Sequence, residues 1–545
     1  MKNYLLSIAA LITLSTQSYT QECVLSQSDT LQSSNFFVPF TNAKHFLQDD
    51  GYRSGSDGPT LIHKMYPTVG FFDPAGNLRL FGGNFEATED PLPGPAALTG
   101  APDPVVCAYF DRIWTVTRTD LIEHLDDLSD GSLDNPNPAI MNWPGRGNPL
   151  LPPLPNQPYL APFFDANDND LYDPANGDYP DTRDMQWKYQ YGNTRPEKLS
   201  WWMISGHEDW PINIGCTAYY FENAAFEGLN YTTFYKFDLT NVADQPINST
   251  YFNLTIDPQL GCGQDDYFGV NLASYSPQVY LYNADATDGD ENCNCETNSD
   301  SFCQTPPVVG VQVVPSSVFM NDWYASDLDK VICSYAPSGN DVPPKMSHPY
   351  TRWELYNYIS GKWRDNYPLS EGGTGYESSE WVDFMFTGTP GNPNEWTANE
   401  ENLLSTDYRI YLNVNHGLIP AGERRNIVFA VTEFPEMVFP DLPRIDSVMN
   451  NIYEWYSREE LLTNTSAPDE DKHTTVYPNP TNGSFRIELH GATLHAYRLY
   501  DLRGYEVTRG STTLVETHLL PDGLYLLETW DSTGHRRIVR VIIQK

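Results

Sequence analysis

Short strand-like runs closed by turn residues constrain this chain more than any other feature. Residues 234–239, 251–256, 279–282 and 427–431 are rich in aromatic and β-branched side chains. Near the C-terminus Phe485, Ile487 and Leu489 alternate with Ser484, Arg486 and Glu488. A period of two places one set of side chains on a single face of an extended strand, which a helix cannot do. Asn482-Gly483, Arg503-Gly504 and Asp522-Gly523 supply turns between the C-terminal runs, and Pro478 and Pro480 set an extended entry to them. The chain is therefore expected to be mainly β: a β-sandwich central region of one or two domains and a small C-terminal Ig-like β-sandwich. Two stretches read as helices. One is 120–125, with Thr119 as N-cap, and the other is 447–462, where Val448, Ile452, Trp455 and Leu461 recur near helical spacing. The proline-dense segment 136–158 reads as an ordered loop, and the polar stretch 463–475 as a linker.

Both ends carry the marks of an exported protein. Lys2 precedes an apolar run, 4–14, and then a polar stretch, 15–20. That order is the n-, h- and c-region pattern of a signal peptide, placed at residues 1–20. The run is too short to span a bilayer, and no other stretch is long and apolar enough to leave a transmembrane segment in the mature chain. At the other end, the sequence opens Val476-Tyr477-Pro478-Asn479-Pro480-Thr481. Leu499-Tyr500-Asp501-Leu502-Arg503-Gly504, Asp522-Gly523-Leu524-Tyr525 and a basic last strand from Arg536 to Lys545 follow. These elements, in this order over residues 476–545, resemble the C-terminal sorting domain of type IX secretion substrates. The resemblance implies Sec export to the periplasm, recognition of the tail by type IX secretion machinery, and delivery to the outer cell surface or beyond. The enclosed residues 21–462 then form an extracellular β-rich region.

Composition fits that destination. With 72 acidic against 32 basic residues the net charge is -40, which repels nucleic acid and anionic lipid head groups. Eight cysteines, an even number, favour disulfides in an oxidising compartment without fixing their pairing. The cluster Cys293, Cys295 and Cys303 has no histidine at ligand spacing, so it reads as a stapled surface loop before it reads as a zinc site.

The most suggestive chemistry lies between residues 165 and 178. Asp165, Asn167 and Asn169 stand at positions 1, 3 and 5 of a cation loop, Asp173 at position 9, and Asp178 follows. Hard cations take six or more oxygen ligands from such closely spaced carboxylates, amides and carbonyls, so the expectation is a structural calcium. Two departures count against a helix-loop-helix site: Asp170 stands where glycine makes the sharp turn, and Asn176 replaces the bidentate glutamate. An unmetallated loop of Asx turns is the other reading. Asp257, Asp265 and Asp266, and then Asp285, Asp288, Asp290 and Glu291, follow strands. They could close turns, add metal ligands, or pair for glycoside hydrolysis. The segment 142–149, the loop ending in residues 177–180, the stretch 257–269, and the aromatic stretches 356–358 and 381–386 also resemble large extracellular regions of uncharacterised type IX substrates. That resemblance spans about residues 60–460 and implies architecture and location, with no activity attached.

Catalytic signatures are scarce. The sequence has no Gly-x-Ser-x-Gly elbow, no His-Glu-x-x-His helix and no phosphate-binding glycine loop. His207-Glu208-Asp209 sets a histidine beside two acids, but neighbours along a strand face opposite ways. Thirteen tryptophans and 35 tyrosines could stack on surface glycans, with Trp187, Trp201 and Trp202 as the candidate platforms. Two classes of function remain: a calcium- and disulfide-stabilised structural or adhesive protein, and a secreted glycan-active hydrolase using paired carboxylates.

Overall fold

A computed structural model describes residues 23–544 except for internal stretches, the longest being 183–194, 315–329 and 464–473. Outside the described residues lie the signal peptide at 1–20, most of the linker at 463–475, Asp168, Trp187, residues 207–209, Asp290 and Glu291. The chain divides into two compact units, Met1–Thr463 and Asn464–Lys545.

The first unit is built on two antiparallel sheets. One runs Ser28–Gln32, Phe36–Thr41, Tyr52–Ser54, Thr60–Phe72, Ile247–Pro258, Tyr408–Ile419, Lys330–Pro337, with Leu78–Gly82 branching from Thr60–Phe72. The other runs Asp266–Asn271, Gln278–Asn283, Val308–Val314, Arg424–Phe434, Thr232–Asn241, Ile212–Tyr220, Lys198–Ser205, Leu92–Pro93, with Trp114–Thr117 also on Lys198–Ser205. All four strand-like runs of the body read from sequence lie inside these strands. Side chains from both sheets share one core, where Phe237 meets Phe252 with ring centroids 4.9 Å apart. This is face-to-face sandwich packing.

The second sheet is covered on its outer face as well. Trp201, Tyr219, Phe234 and Val428 point away from the sandwich core into a separate apolar cluster with Trp143, Phe163 and Tyr172. Helix Leu442–Thr463 adds Ile452 and Tyr456 to that cluster, and the Tyr456 and Tyr219 hydroxyls lie 2.9 Å apart. Every residue of Thr232–Asn241 is buried in consequence, including Lys236 and Asp238. Trp201 and Trp202 are core residues, 1% and 2% exposed, so they are not platforms for sugars. The helix begins at Leu442, five residues before the sequence pattern places it.

The other anticipated helix is Arg118–Asp127, and its N-cap is Thr117 rather than Thr119. The Thr117 hydroxyl accepts from the Asp120 N–H while the Asp120 carboxylate accepts from the Thr117 N–H, a reciprocal cap. Within 136–158 a short helix, Pro138–Met141, interrupts the loop. Among the described residues no helix is long and apolar enough to cross a membrane.

Three disulfides staple this unit: Cys23–Cys107, Cys262–Cys293 and Cys295–Cys303. Cys216 and Cys333 stay reduced and buried, so the even cysteine count does not mean complete pairing. Burial raises the pKa of both thiols above the usual range, as apolar surroundings do.

The second unit has a four-stranded sheet, Glu506–Gly510, Leu494–Tyr500, Gly523–Asp531, Arg536–Ile543, and a three-stranded one, Thr474–Tyr477, Ser484–Leu489, Leu514–Glu516. Phe485 and Ile487 are buried between them with Leu499, Leu527 and Val541, as the alternating pattern requires. The opening Pro-Asn-Pro-Thr segment clips the end of the last strand. Asn479 Oδ1 accepts from the Ile542 N–H at 2.7 Å, and the Thr481 N–H donates to the Ile542 carbonyl at 2.8 Å.

Candidate functional site

The loop 165–178 lies between two short strands, Phe163–Phe164 and Tyr179–Pro180, which pair with each other. Its path follows the first half of a cation loop. Both oxygens of Asp165 accept backbone N–H groups, from Asn169 at 3.2 Å and from Asp170 at 2.7 Å. Asp170 takes φ +59°, the left-handed conformation that glycine usually supplies at that position. The sharp turn forms without glycine, because aspartate tolerates the left-handed region better than most residues.

Asp173 gathers the asparagines. Its carboxylate accepts from Nδ2 of Asn167 at 3.2 Å, of Asn169 at 2.9 Å and of Asn176 at 3.1 Å. Burial opposes ionisation of Asp173, but these three amides outweigh it and hold its pKa below the usual range. Asp178 is fully buried and accepts from the N–H groups of Ala166 and Asp173, each at 2.8 Å. Burial, with the Asp173 and Asp165 charges adding to it, pushes the Asp178 carboxyl up to about 6 despite those two bonds.

The sequence motif thus brings all five residues, Asp165, Asn167, Asn169, Asp173 and Asp178, into one hydrogen-bonded knot. The donor chemistry suits a hard cation: three carboxylates and the side-chain oxygens of neighbouring asparagines. As the side chains stand, amide nitrogens fill the space between the carboxylates. Among the described residues no three of His, Cys, Asp or Glu are grouped as a metal cage.

The loop is clamped from beneath by residues the pattern alone did not single out. His124, buried on helix Arg118–Asp127, places Nε2 3.2 Å from the Asp178 carbonyl, and burial lowers its pKa. The Tyr172 hydroxyl donates to the Ile140 carbonyl at 2.6 Å, and Trp143 Nε1 donates to the Pro162 carbonyl at 2.8 Å. Gly145 packs so closely on Tyr172 that an added Cβ would lie 2.7 Å from that side chain. The 142–149 segment is therefore the bed on which the loop sits. Lys236, fully buried, donates to the Thr182 carbonyl at 2.8 Å and ties the exit of the loop to the sheet. Asp238 lies 3.4 Å from the lysine, which keeps that charge compensated.

Several of the other acidic residues are bonded within the fold. Asp257 pairs with Arg409 at 2.9 Å. Asp266 is 1% exposed and accepts from the Leu260 N–H at 2.7 Å. Asp288 accepts from the N–H groups of Cys262 and Phe302, anchoring both sides of the disulfide-bearing turn. Asp285 closes an Asx turn on the Thr287 N–H at 2.7 Å. Burial raises the pKa of Asp265, Asp266 and Asp288; the Asp285 charge adds to it at Asp265, the Asp265 and Asp288 charges at Asp266, and the Asp265 charge at Asp288. The carboxyls of Asp257, Asp266 and Asp288 are buried, whereas Asp265 is half-buried and Asp285 exposed. A small apolar recess between the sheets, lined by residues including Val69, Phe81, Ile204 and Phe237, has no ionisable side chain in its wall.

No curated protein matches this chain. Among solved structures, a polysaccharide lyase is similar over 62% of this chain and 34% of its own, with 10% identity and a TM-score of 0.18. The chain thus spans about a third of that protein's length, and so slight a likeness carries neither fold nor activity. Residues 475–544 match the family model described as a secretion system C-terminal sorting domain.

Proposed function

We propose that this chain is cargo of the type IX secretion machinery, delivered to the outer cell surface or the medium. There its body acts as a non-catalytic structural or adhesive component. The observation that carries the reading is the sorting-domain match over residues 475–544, which coincides with a separate compact unit. Three disulfides support it, since such bonds persist in oxidising compartments.

A structural calcium at Asp165, Asn167, Asn169, Asp173 and Asp178 belongs to the same proposal. The left-handed turn at Asp170 and the Asp173 and Asp165 charges that act on Asp178 support it. A cation there would neutralise the cluster and fix the two short strands that flank it. The hydrolase alternative draws no support from Asp257, Asp266 and Asp288, whose carboxylates are buried and bonded within the fold.

Deleting residues 474–545 tests the assignment. The truncated protein should accumulate in the periplasm, folded and with its disulfides formed. Undiminished delivery of the truncated chain to the surface would reject it.

A further inference from the structure

One surface of the body does not behave like the rest. Aromatic rings usually sink into cores, yet Tyr350, Trp353 and Trp381 are 72%, 59% and 73% exposed. The first two lie three residues apart at the start of helix Arg352–Ile359, and Tyr350 belongs to a wider cluster. The Arg364 guanidinium lies 4.7 Å from the Tyr350 ring centre and 2.9 Å from Glu354, the residue beside Trp353. Next along the chain, Asp365 accepts from the Tyr376 hydroxyl at 2.6 Å and faces Lys345 at 3.8 Å. Lys345 lies 5.1 Å from the Tyr376 ring centre, and Tyr367 packs 5.1 Å from the same ring. Trp381 bridges back to Ser370, three residues beyond Tyr367.

The rings are held, not loose. Trp353 leans on Phe72 at 5.9 Å, Tyr350 is covered on one side by Arg364, and Tyr376 is fixed by its bond to Asp365. Platforms fixed in this way bind with little loss of side-chain entropy. An exposed aromatic patch rimmed by polar groups marks a binding surface.

Its chemistry selects the partner. Cores of protein–protein interfaces are depleted of Lys, Glu and Asp, because dehydrating such charges is costly. Here two ion pairs, Arg364–Glu354 and Lys345–Asp365, are interleaved with the rings. A pyranose ring offers an apolar C–H face for stacking and hydroxyls that keep charged groups hydrogen-bonded. The two pairs are internally balanced, and the chain as a whole carries -40, so the matching glycan is neutral and not a polyanion.

We infer that the Tyr350–Trp353–Tyr376 surface binds neutral oligosaccharides. This extends the adhesive reading of the body and names its partner class. Binding is measured on purified full-length protein, so it is tested separately from export. The experiment is calorimetric titration with a panel of neutral gluco-, manno-, xylo- and galacto-oligosaccharides, repeated on Trp353→Ala and Tyr350→Ala. Both side chains project into solvent, and unchanged thermal melts would show that the variants are folded. At least one neutral oligosaccharide should bind the parent, and each variant should bind it about tenfold more weakly. Three results would overturn the inference: no binding across the panel, equal affinity in parent and variants, or concentration-dependent dimerisation that the variants abolish. The last would make the patch an interface between copies of this chain.

Discussion

The body and the tail of this chain solve different problems. Up to residue 475 the sequence has 65 acidic and 24 basic residues, whereas residues 476–545 have seven acidic and eight basic. All eight cysteines lie in the body. The body buries a sheet on both faces and staples its loops with disulfides, whereas the tail is a small sandwich with one core. An acidic, cross-linked body stays soluble and lasts outside the cell, while a compact and nearly neutral tail can be recognised apart from it. The contrast teaches that one chain divides durability from delivery between two folding units.

The largest expected effect concerns the body's staples. Cys23–Cys107 closes 84 residues, so replacing both cysteines by serine should cost about 4–5 kcal/mol on the chain-entropy account. Cys295–Cys303 closes only 8, and its loss should cost about 2–3 kcal/mol. Denaturant unfolding measures both, and equal effects would show that loop length is not what matters. Lys236→Ala comes next. It removes the nearer of the two cations beside Asp238, Arg424 remaining at 3.8 Å, and unties the 165–178 loop, for about 3–4 kcal/mol. A melt unchanged by that variant would show that the buried pair does not hold the loop to the sheet.

Acid–base behaviour gives a third, somewhat smaller effect. Burial raises the Glu433 carboxyl from 4.5 to about 7, although the Ser54 hydroxyl donates to it at 2.6 Å. The folded state therefore holds the proton more tightly than the unfolded state does. This contribution is fully present below about 4.5 and is lost as pH rises through about 7. Glu433→Gln stays neutral, so above that range it should be more stable than the parent by roughly 3 kcal/mol relative to the difference at acid pH. Parallel stability curves for the two proteins would contradict it. Asp265, Asp266 and Asp288 shift in the same direction, and the difference between the two curves isolates Glu433. The smallest effect is that of chelation. On the proposal of a calcium in the 165–178 loop, removing that ion when it is present at about a hundred times its dissociation constant should destabilise the body by about 2–3 kcal/mol. Asp173→Asn should make the melt insensitive to chelator, and the isolated tail should not respond at all.

The tail was the more legible unit because its strand Ser484–Leu489 buries one face. Phe485 and Ile487 point inward while Arg486 and Glu488 point out, so the pattern is written in the residues themselves. Strand Thr232–Asn241 hides its environment, since Lys236 and Asp238 look like solvent-facing positions and are buried, Lys236 against the Thr182 carbonyl. Exposure of aromatics was hidden for the same reason. Trp201 and Trp202 are core residues while Trp353 and Trp381 are exposed, and nothing local distinguishes them. The 165–178 loop was readable because its ligand-type residues are close in sequence and meet through local backbone turns. Its supports, His124 and Lys236, come from distant strands and helices that only the tertiary fold brings near.

The most direct measurement transfers the tail. Residues 474–545 should be fused to an unrelated periplasmic protein in a host with type IX secretion machinery, and surface exposure followed by antibody labelling of intact cells. Delivery of the passenger, lost when the Asn479–Thr481 clip on the last strand is replaced by alanines, is the expected result. A passenger that stays in the periplasm, in cells that still export the parent chain, would contradict the division of labour.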